Sequence, residues 1–125
     1  TLEVELILLA GYMKIFQPPF VRRYRYQLIN IHPSLLPAFP GAHAVADTLA
    51  YHTKISGVTV HFVDEGVDTG PIITQVPVPV LDDDNESSLH QRIQIEEHKI
   101  YPQVVKWFAA NLIHIDNRRV IIKQE

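Results

Sequence analysis

The chain has no cysteine. That excludes disulfides, thiolate nucleophiles and cysteine-based zinc centres, and with them redox chemistry carried by the protein itself. Long hydrophobic runs are missing too: none approaches the roughly 18 to 20 residues that span a bilayer, and no basic segment precedes the first apolar stretch as a secretory signal requires. Basic charge is scarce, with 11 Lys and Arg against 14 Asp and Glu and a net charge of −3. Nothing therefore draws the surface to nucleic acid or to an anionic membrane. The five glycines form no G-x-G-x-x-G or P-loop pattern. What these absences leave is small-molecule chemistry; a cytoplasmic monomer or homodimer with no nucleic acid or membrane partner is expected. At 125 residues and 46% hydrophobic, residues 1–125 are expected to form a single domain around one core.

The apolar segments give an α/β order. "VELILLA" (4–10), ended by Gly11, reads as a strand buried on both faces of a parallel sheet. Such a strand needs neighbours and covering helices, so the chain is expected to be the C-terminal part of a mostly parallel sheet with flanking helices. Pro18 and Pro19 then open a short helix on which Phe20, Val21 and Tyr24 share a face. "QLINI" (27–31) is the next strand, and a modest helix spans 43–52. "GVTVHFVDE" (57–65) alternates Val58, Val60 and Phe62 with Thr59, His61 and Val63, as a half-buried strand does. In "PIITQVPVPV" (71–80), Pro77 and Pro79 mark an edge strand. Asp84 or Asn85 caps a long helix running to about Ala110, whose buried stripe is Leu89, Ile93, Ile100, Tyr101, Val104 and Phe108. Glu97 lies within that stripe, so its carboxylate faces the protein. "LIHIDNRRVIIK" reads as a hairpin turning at Asp116-Asn117.

Proline, by contrast with cysteine, is abundant, and three of the nine fall in "NIHPSLLPAFPG" (30–41). Asn30 is expected at the carboxyl end of its strand, where open α/β sheets place ligands, with His32 beside it. A carboxamide donates to a developing oxyanion without changing charge, and a histidine donates as imidazolium or accepts a proton near neutral pH. Asp68, in the shaped turn "GVDTGP", could hold His32 in its cationic form. As bare residues, the bland readings stay open: Asn30 as a loop cap, Asp68 as an Asx-turn aspartate, His61 as a hydrogen-bonded core histidine. No histidine spacing suits a zinc site, and no metal is expected. The "RRYR" cluster (22–25) reads as a solvated face.

"LAGYMKIF", "NIHPSLLPAFPG", "GVTVHFVDEGVDTGPII" and "EEHKIYP", in this order, resemble the folate-dependent formyltransferases over roughly residues 4 to 108. "AGYMKIF" and "EEHKIYP" favour the branch whose acceptor is glycinamide ribonucleotide, in de novo purine (IMP) synthesis. The resemblance implies a Rossmann-like formyltransferase fold and 10-formyltetrahydrofolate as co-substrate, without a metal. It implies that Asn30, His32 and Asp68 are the catalytic set. The acceptor amine attacks the formyl carbon, Asn30 and protonated His32 hold the oxyanion, and Asp68 keeps His32 charged while helping move the amine's proton. Lys14, Ile15, Phe16, Val21, Val63, Asp64, Glu65 and Val67 match the pterin pocket. Met13, Pro33 and Glu97 match positions facing the ribonucleotide, with Glu97 accepting from ribose hydroxyls. His61 and Pro37 match supporting positions, Pro37 one that is cis. The family's N-terminal phosphate-binding half has no counterpart in these residues, so turnover by the 125 residues alone is expected to be poor or absent. Three further readings remain at this point: a formyltetrahydrofolate hydrolase; a methionyl-tRNA formyltransferase, against which the acidic charge and the short hairpin tail argue; and a non-catalytic folate-binding fragment.

Overall fold

The computed structural model describes residues 7–10 and 28–123. Their elements are β1 (Ile7–Ala10), β2 (Leu28–His32), α1 (Ala44–Tyr51), β3 (Ile55–Phe62), β4 (Ile72–Pro79), α2 (Glu86–Ala109), β5 (Ile113–Asp116) and β6 (Arg119–Ile122). The helix expected near Phe20 and the "RRYR" cluster lie outside the described residues. No helix among the described residues is long and apolar enough to cross a membrane.

The first four strands form one sheet in the order β1-β2-β3-β4, and β5 with β6 forms a separate hairpin. The α/β class holds, but the sheet is mixed. β1 runs parallel to β2, whereas β3 is antiparallel to both β2 and β4. The expectation of a mostly parallel sheet therefore holds only for the first pair among the described residues. The link from β3 to β4 is too short for a crossover and forces antiparallel neighbours. β3 also starts earlier than its sequence suggests, at Ile55. Gly57 therefore lies inside the strand, where a Cβ would overlap the Val76 carbonyl oxygen and the Leu35 side chain.

Every residue of β3 after Ile55 is buried, so the half-buried reading of Thr59 and His61 is corrected. Register explains why. Ile29 pairs with Phe62 and Ile31 with Val60, while Asn30 pairs with His61 and His32 with Thr59. Directly paired residues share a face, so this part of the sheet has one apolar face and one polar face. The apolar face contributes Ile29, Ile31, Val58, Val60 and Phe62 to a core completed by Val45, Ile73, Val78, Leu89, Ile93 and Val104. Leu89 and Ile93 are fully buried, and truncating either to Ala removes about 2 to 5 kcal/mol.

Local chemistry sets the helix ends. Asn85 Oδ1 accepts from Ser88 N at 2.8 Å and Ser88 Oγ accepts from Asn85 N at 3.0 Å, a reciprocal capping box. At the far end Asn111 adopts φ 56, and Leu112 N donates to Trp107 O at 2.9 Å while Asn111 N donates to Phe108 O at 3.0 Å. This is the six-to-one and five-to-two pair that closes a helix through a left-handed residue. The hairpin that follows turns one residue later than its sequence suggests: Asp116 pairs with Arg119, leaving Asn117 (φ 58) and Arg118 in the turn.

β4 is the outer strand of the sheet among the described residues. Val80 N donates inward to Lys54 O at 3.0 Å. By the two-residue period, Pro77 and Pro79 then face their nitrogens away from β3, where no ladder bond is lost. Beyond β4, Arg92 grips Asp84 with two bonds, Nη1 to Oδ2 at 2.9 Å and Nη2 to Oδ1 at 2.7 Å. Its Nη1 also donates to Pro79 O at 2.9 Å. The Arg92 guanidinium holds the Asp84 carboxyl well below the usual carboxylate range, helped by bonds from Leu81 N and Ser88. A depressed carboxyl stabilises the fold above its unfolded value of about 3.9 and loses that contribution as pH falls through the folded value. Urea midpoints of the wild type and Arg92→Met should therefore differ most near neutral pH and converge below about pH 4. A gap unchanged down to about pH 2 would show that the pair contributes nothing titratable.

Candidate active site

The polar face is covered by the proline-rich segment that leaves β2. Thr59 Oγ1 anchors it, accepting from Leu36 N at 3.0 Å and Gln75 Nε2 at 2.9 Å and donating to Ser34 O at 2.7 Å. Gln75 Nε2 also donates to Leu36 O at 2.9 Å. One buried hydroxyl and one carboxamide thus fasten residues 34–36 to the sheet, with every hydrogen-bonding position of the hydroxyl used. The Leu36–Pro37 bond is cis, as the resemblance implies.

β2 extends through His32, so Asn30 sits within the strand rather than at its end. Pairing of Ile31 and His32 with β3 carries the strand past it. Asn30 Oδ1 is buried and has no hydrogen-bond partner. His32, 4% exposed, donates from Nε2 to Phe39 O at 2.8 Å and turns Nδ1 to Asp68 Oδ2 at 3.5 Å. Each ring nitrogen therefore faces an oxygen that only accepts, an arrangement that a ring carrying hydrogen on both nitrogens satisfies. Phe39 presents its carbonyl from φ 52, an uncommon conformation for an aromatic residue, and its ring packs edge-on against Tyr51 at 5.8 Å.

Asp68, at φ 54 in the turn between β3 and β4, joins three groups. Its Oδ2 accepts from Gly41 N at 2.7 Å and faces His32, and its Oδ1 lies 3.7 Å from His61 Nε2. His61 is buried, and Nδ1 donates to Phe62 O at 2.9 Å. Burial pushes its imidazole below the ordinary histidine range, against the pull of Phe62 O and Asp68. In the neutral ring Nε2 then carries a lone pair, and it has no hydrogen-bond partner.

The structure thus brings Asn30, His32, His61 and Asp68 together on one face. Val63 and Asp64 are half-buried and Glu65 and Val67 exposed on the same turn as Asp68. Pro33 is half-buried directly after His32. Glu97, half-buried on α2, has its carboxyl pushed up by burial, with His90, His98 and His32 opposing the shift. A carboxyl raised in the folded state favours the fold at low pH and costs stability as pH rises through its folded value. Glu97→Gln should unfold at a slightly higher urea concentration than wild type near pH 8, by well under about 1 kcal/mol for a half-exposed group. Near pH 4 the two should coincide, and a lower midpoint at both values would contradict the burial cost. Met13, Lys14, Ile15, Phe16 and Val21 lie outside the described residues.

Thr59, Gln75, Phe39 and Gly41 were not legible as site residues. The "VTVHF" alternation was a partial signal for Thr59, but no propensity announces an aromatic at positive φ. Chemically, the face offers a carboxamide with an unused buried oxygen, an imidazole braced at both nitrogens, and a carboxylate shared between two histidines. The unspent acceptor of Asn30 fits a ligand that brings a hydrogen-bond donor, such as an amine.

A family model described as "Formyl transferase" matches residues 1–105. The phosphoribosylglycinamide formyltransferase of Mycobacterium tuberculosis is 48% identical over 116 residues, covering 93% of this chain and 54% of the relative. The crystal structure of glycinamide ribonucleotide transformylase 1 from Symbiobacterium toebii superposes with a TM-score of 0.92 at 48% identity, over 96% of this chain and 57% of that one. A formyltetrahydrofolate deformylase from Pseudomonas syringae pv. tomato gives a TM-score of 0.89 at 29% identity, over 96% of this chain and 40% of that one. The chain therefore spans about half the length of the curated relatives it matches. By the family model, the identity and the superposition, the chain belongs to the formyl transferase family.

Proposed function

We propose that the chain supplies the catalytic half of an enzyme transferring a formyl group from 10-formyltetrahydrofolate to the amine of glycinamide ribonucleotide. The reaction takes small-molecule substrates in the cytoplasm and belongs to purine synthesis. The observation that carries this reading is the convergence of Asn30, His32 and Asp68 on one polar face, in a chain whose relatives bear that activity in their names. The family-length polypeptide, rather than the 125 residues alone, is the proposed unit of turnover, with a phosphate grip contributed by its other half.

The acceptor amine attacks the formyl carbon, and the folate departs through its amine nitrogen, which takes up the proton that the acceptor amine released. Asn30 donates its carboxamide to the formyl oxygen as negative charge develops there, a contribution that needs no change of charge. His32 supplies the second donor to that oxygen, through the Nδ1 edge whose 3.5 Å separation from Asp68 leaves room for sharing. Asp68 stabilises the imidazolium and receives the proton released by the attacking amine, through water. His61 packs against the second oxygen of Asp68 at 3.7 Å and limits where that carboxylate can turn. Pro33 and Glu97 serve the ribonucleotide side and Val63, Asp64, Glu65 and Val67 the pterin side; the resemblance assigns Met13 to the former role and Lys14, Ile15, Phe16 and Val21 to the latter.

The test is deformylation of a 10-formylfolate followed by absorbance, with glycinamide ribonucleotide or with water alone, on this chain and on a version of the relatives' length. Turnover that requires the amine and appears in the longer polypeptide supports the proposal. Equal turnover without the amine makes the protein a hydrolase, and folate binding without turnover in either makes it a binding module.

A further inference from the structure

The β5-β6 hairpin lies beyond the segment matched by the family model, which ends at residue 105. It also contributes no group to the site proposed above. Its apolar residues Ile113, Ile115, Val120 and Ile122 dock against the core, which fixes where its turn points. From that turn Arg118 reaches back 49 positions in sequence: Nη2 donates to Thr69 O, and Nη1 lies 4.0 Å from Asp64 Oδ2. Asp64 already gathers the same turn, since its Oδ1 accepts from Gly66 N at 2.9 Å and from Thr69 Oγ1 at 2.6 Å. Asp68 lies between these tied residues, held at a positive φ.

The geometry points to Arg118 as a positioning residue that clamps the turn from Asp64 to Thr69 and so fixes the Asp68 carboxylate between His32 and His61. The kinetic part of this inference rests on the proposed formyl transfer; the clamp itself does not. A guanidinium suits the task because its fork meets a carbonyl and a carboxylate together, which a lysine's single ammonium cannot do with the same geometry. The side chain is 69% exposed, so the clamp is sensitive to salt. Arg119, its neighbour, pairs instead with Asp116 inside the hairpin at 3.8 Å and provides a control of equal charge.

Hydrogen exchange decides the clamp. In Arg118→Ala the amides of Gly66 to Gly70 should exchange about three- to fivefold faster, the range an exposed ion pair supports. Amides of β3 should be unchanged. Arg118→Lys should recover part of the protection, Arg119→Ala should match wild type, and about 0.5 M salt should bring wild type towards Arg118→Ala. In the family-length polypeptide, Arg118→Ala should lower kcat by a similar factor while KM for the amine and the thermal midpoint stay put. Unchanged exchange in Arg118→Ala, or faster exchange with kcat unaffected in an active protein, overturns the inference. If the wild type shows no amine-dependent turnover, the functional reading fails, and the exchange result alone still decides whether Arg118 clamps the turn.

Discussion

Asp68→Asn, made in the family-length polypeptide, is expected to lower kcat for amine-dependent formyl transfer by about 10² to 10⁴, the range spanned by removal of a positioned acid–base group. The substitution keeps the shape of the side chain and changes its chemistry at one atom. In the wild type Oδ2 accepts from Gly41 N and faces His32, while Oδ1 lies 3.7 Å from His61 Nε2 without a hydrogen bond. An asparagine can keep the bond from Gly41 with its oxygen, but its NH2 must then face His61, and no negative charge remains beside His32. The loss should fall on kcat, because Asp68 acts in the proposed step rather than in holding either substrate. Its loop should stay in place, so folate affinity measured by fluorescence quenching should change little. A variant with kcat within about tenfold of wild type would remove Asp68 from the chemistry. Loss of folate binding in parallel with kcat would assign it to loop structure instead.

Gly70→Ala should produce the largest loss of stability of the alanine substitutions at the described glycines. A Cβ at Gly70 would overlap the Phe62 carbonyl oxygen, come within 2.7 Å of the Phe62 carbonyl carbon and within 3.3 Å of Asp64 N. All three are backbone atoms, so no side chain can swing aside. The strands must separate where β3 ends and β4 begins, at the bond from Phe62 N to Pro71 O at 2.9 Å. Overpacking of this kind costs about 2 to 4 kcal/mol, a large part of a small domain's stability. Urea unfolding should show it as a lower midpoint with an unchanged slope. Because Gly70 also sets the exit of the Asp68 turn, whatever folds should be nearly inactive. A midpoint within about 0.5 kcal/mol of wild type would mean that the two strands are not held as closely as described.

Much of this architecture is legible in the sequence, and the exceptions have a common cause. Capping at Asn85, the length of α2, the edge position of β4 and the inward-facing Glu97 all follow from local chemistry or from periodicity. Sheet direction does not, because an apolar run such as that around Ile29 is the same whether its neighbour runs parallel or antiparallel. Nor does the burial of Thr59 and His61. Alternation reports two faces but not what covers each, and here the cover is a loop from residues 33 to 41 that the strand cannot announce. Asn30, His32 and Asp68 were legible through their motif, whereas Thr59 and Gln75, which anchor the loop over them, carry no motif at all. Arg118 is further still from legibility, since Thr69 lies 49 positions away and the sequence around Arg118 is that of any exposed turn.

The outward-facing prolines of β4 bear on how the protein behaves when concentrated. The outer edge of a sheet is a template on which another copy can add a strand, and growth of that kind ends in fibres or precipitate. Along the second half of β4 the template has gaps where Pro77 and Pro79 withhold their donors, and Arg92 occupies the outward carbonyl of Pro79. A visiting strand would find a broken ladder beside a fixed positive charge. The same residues that leave the ladder to β3 intact therefore oppose aggregation at this edge, and replacing both prolines with valine would complete the template while removing nothing from the core.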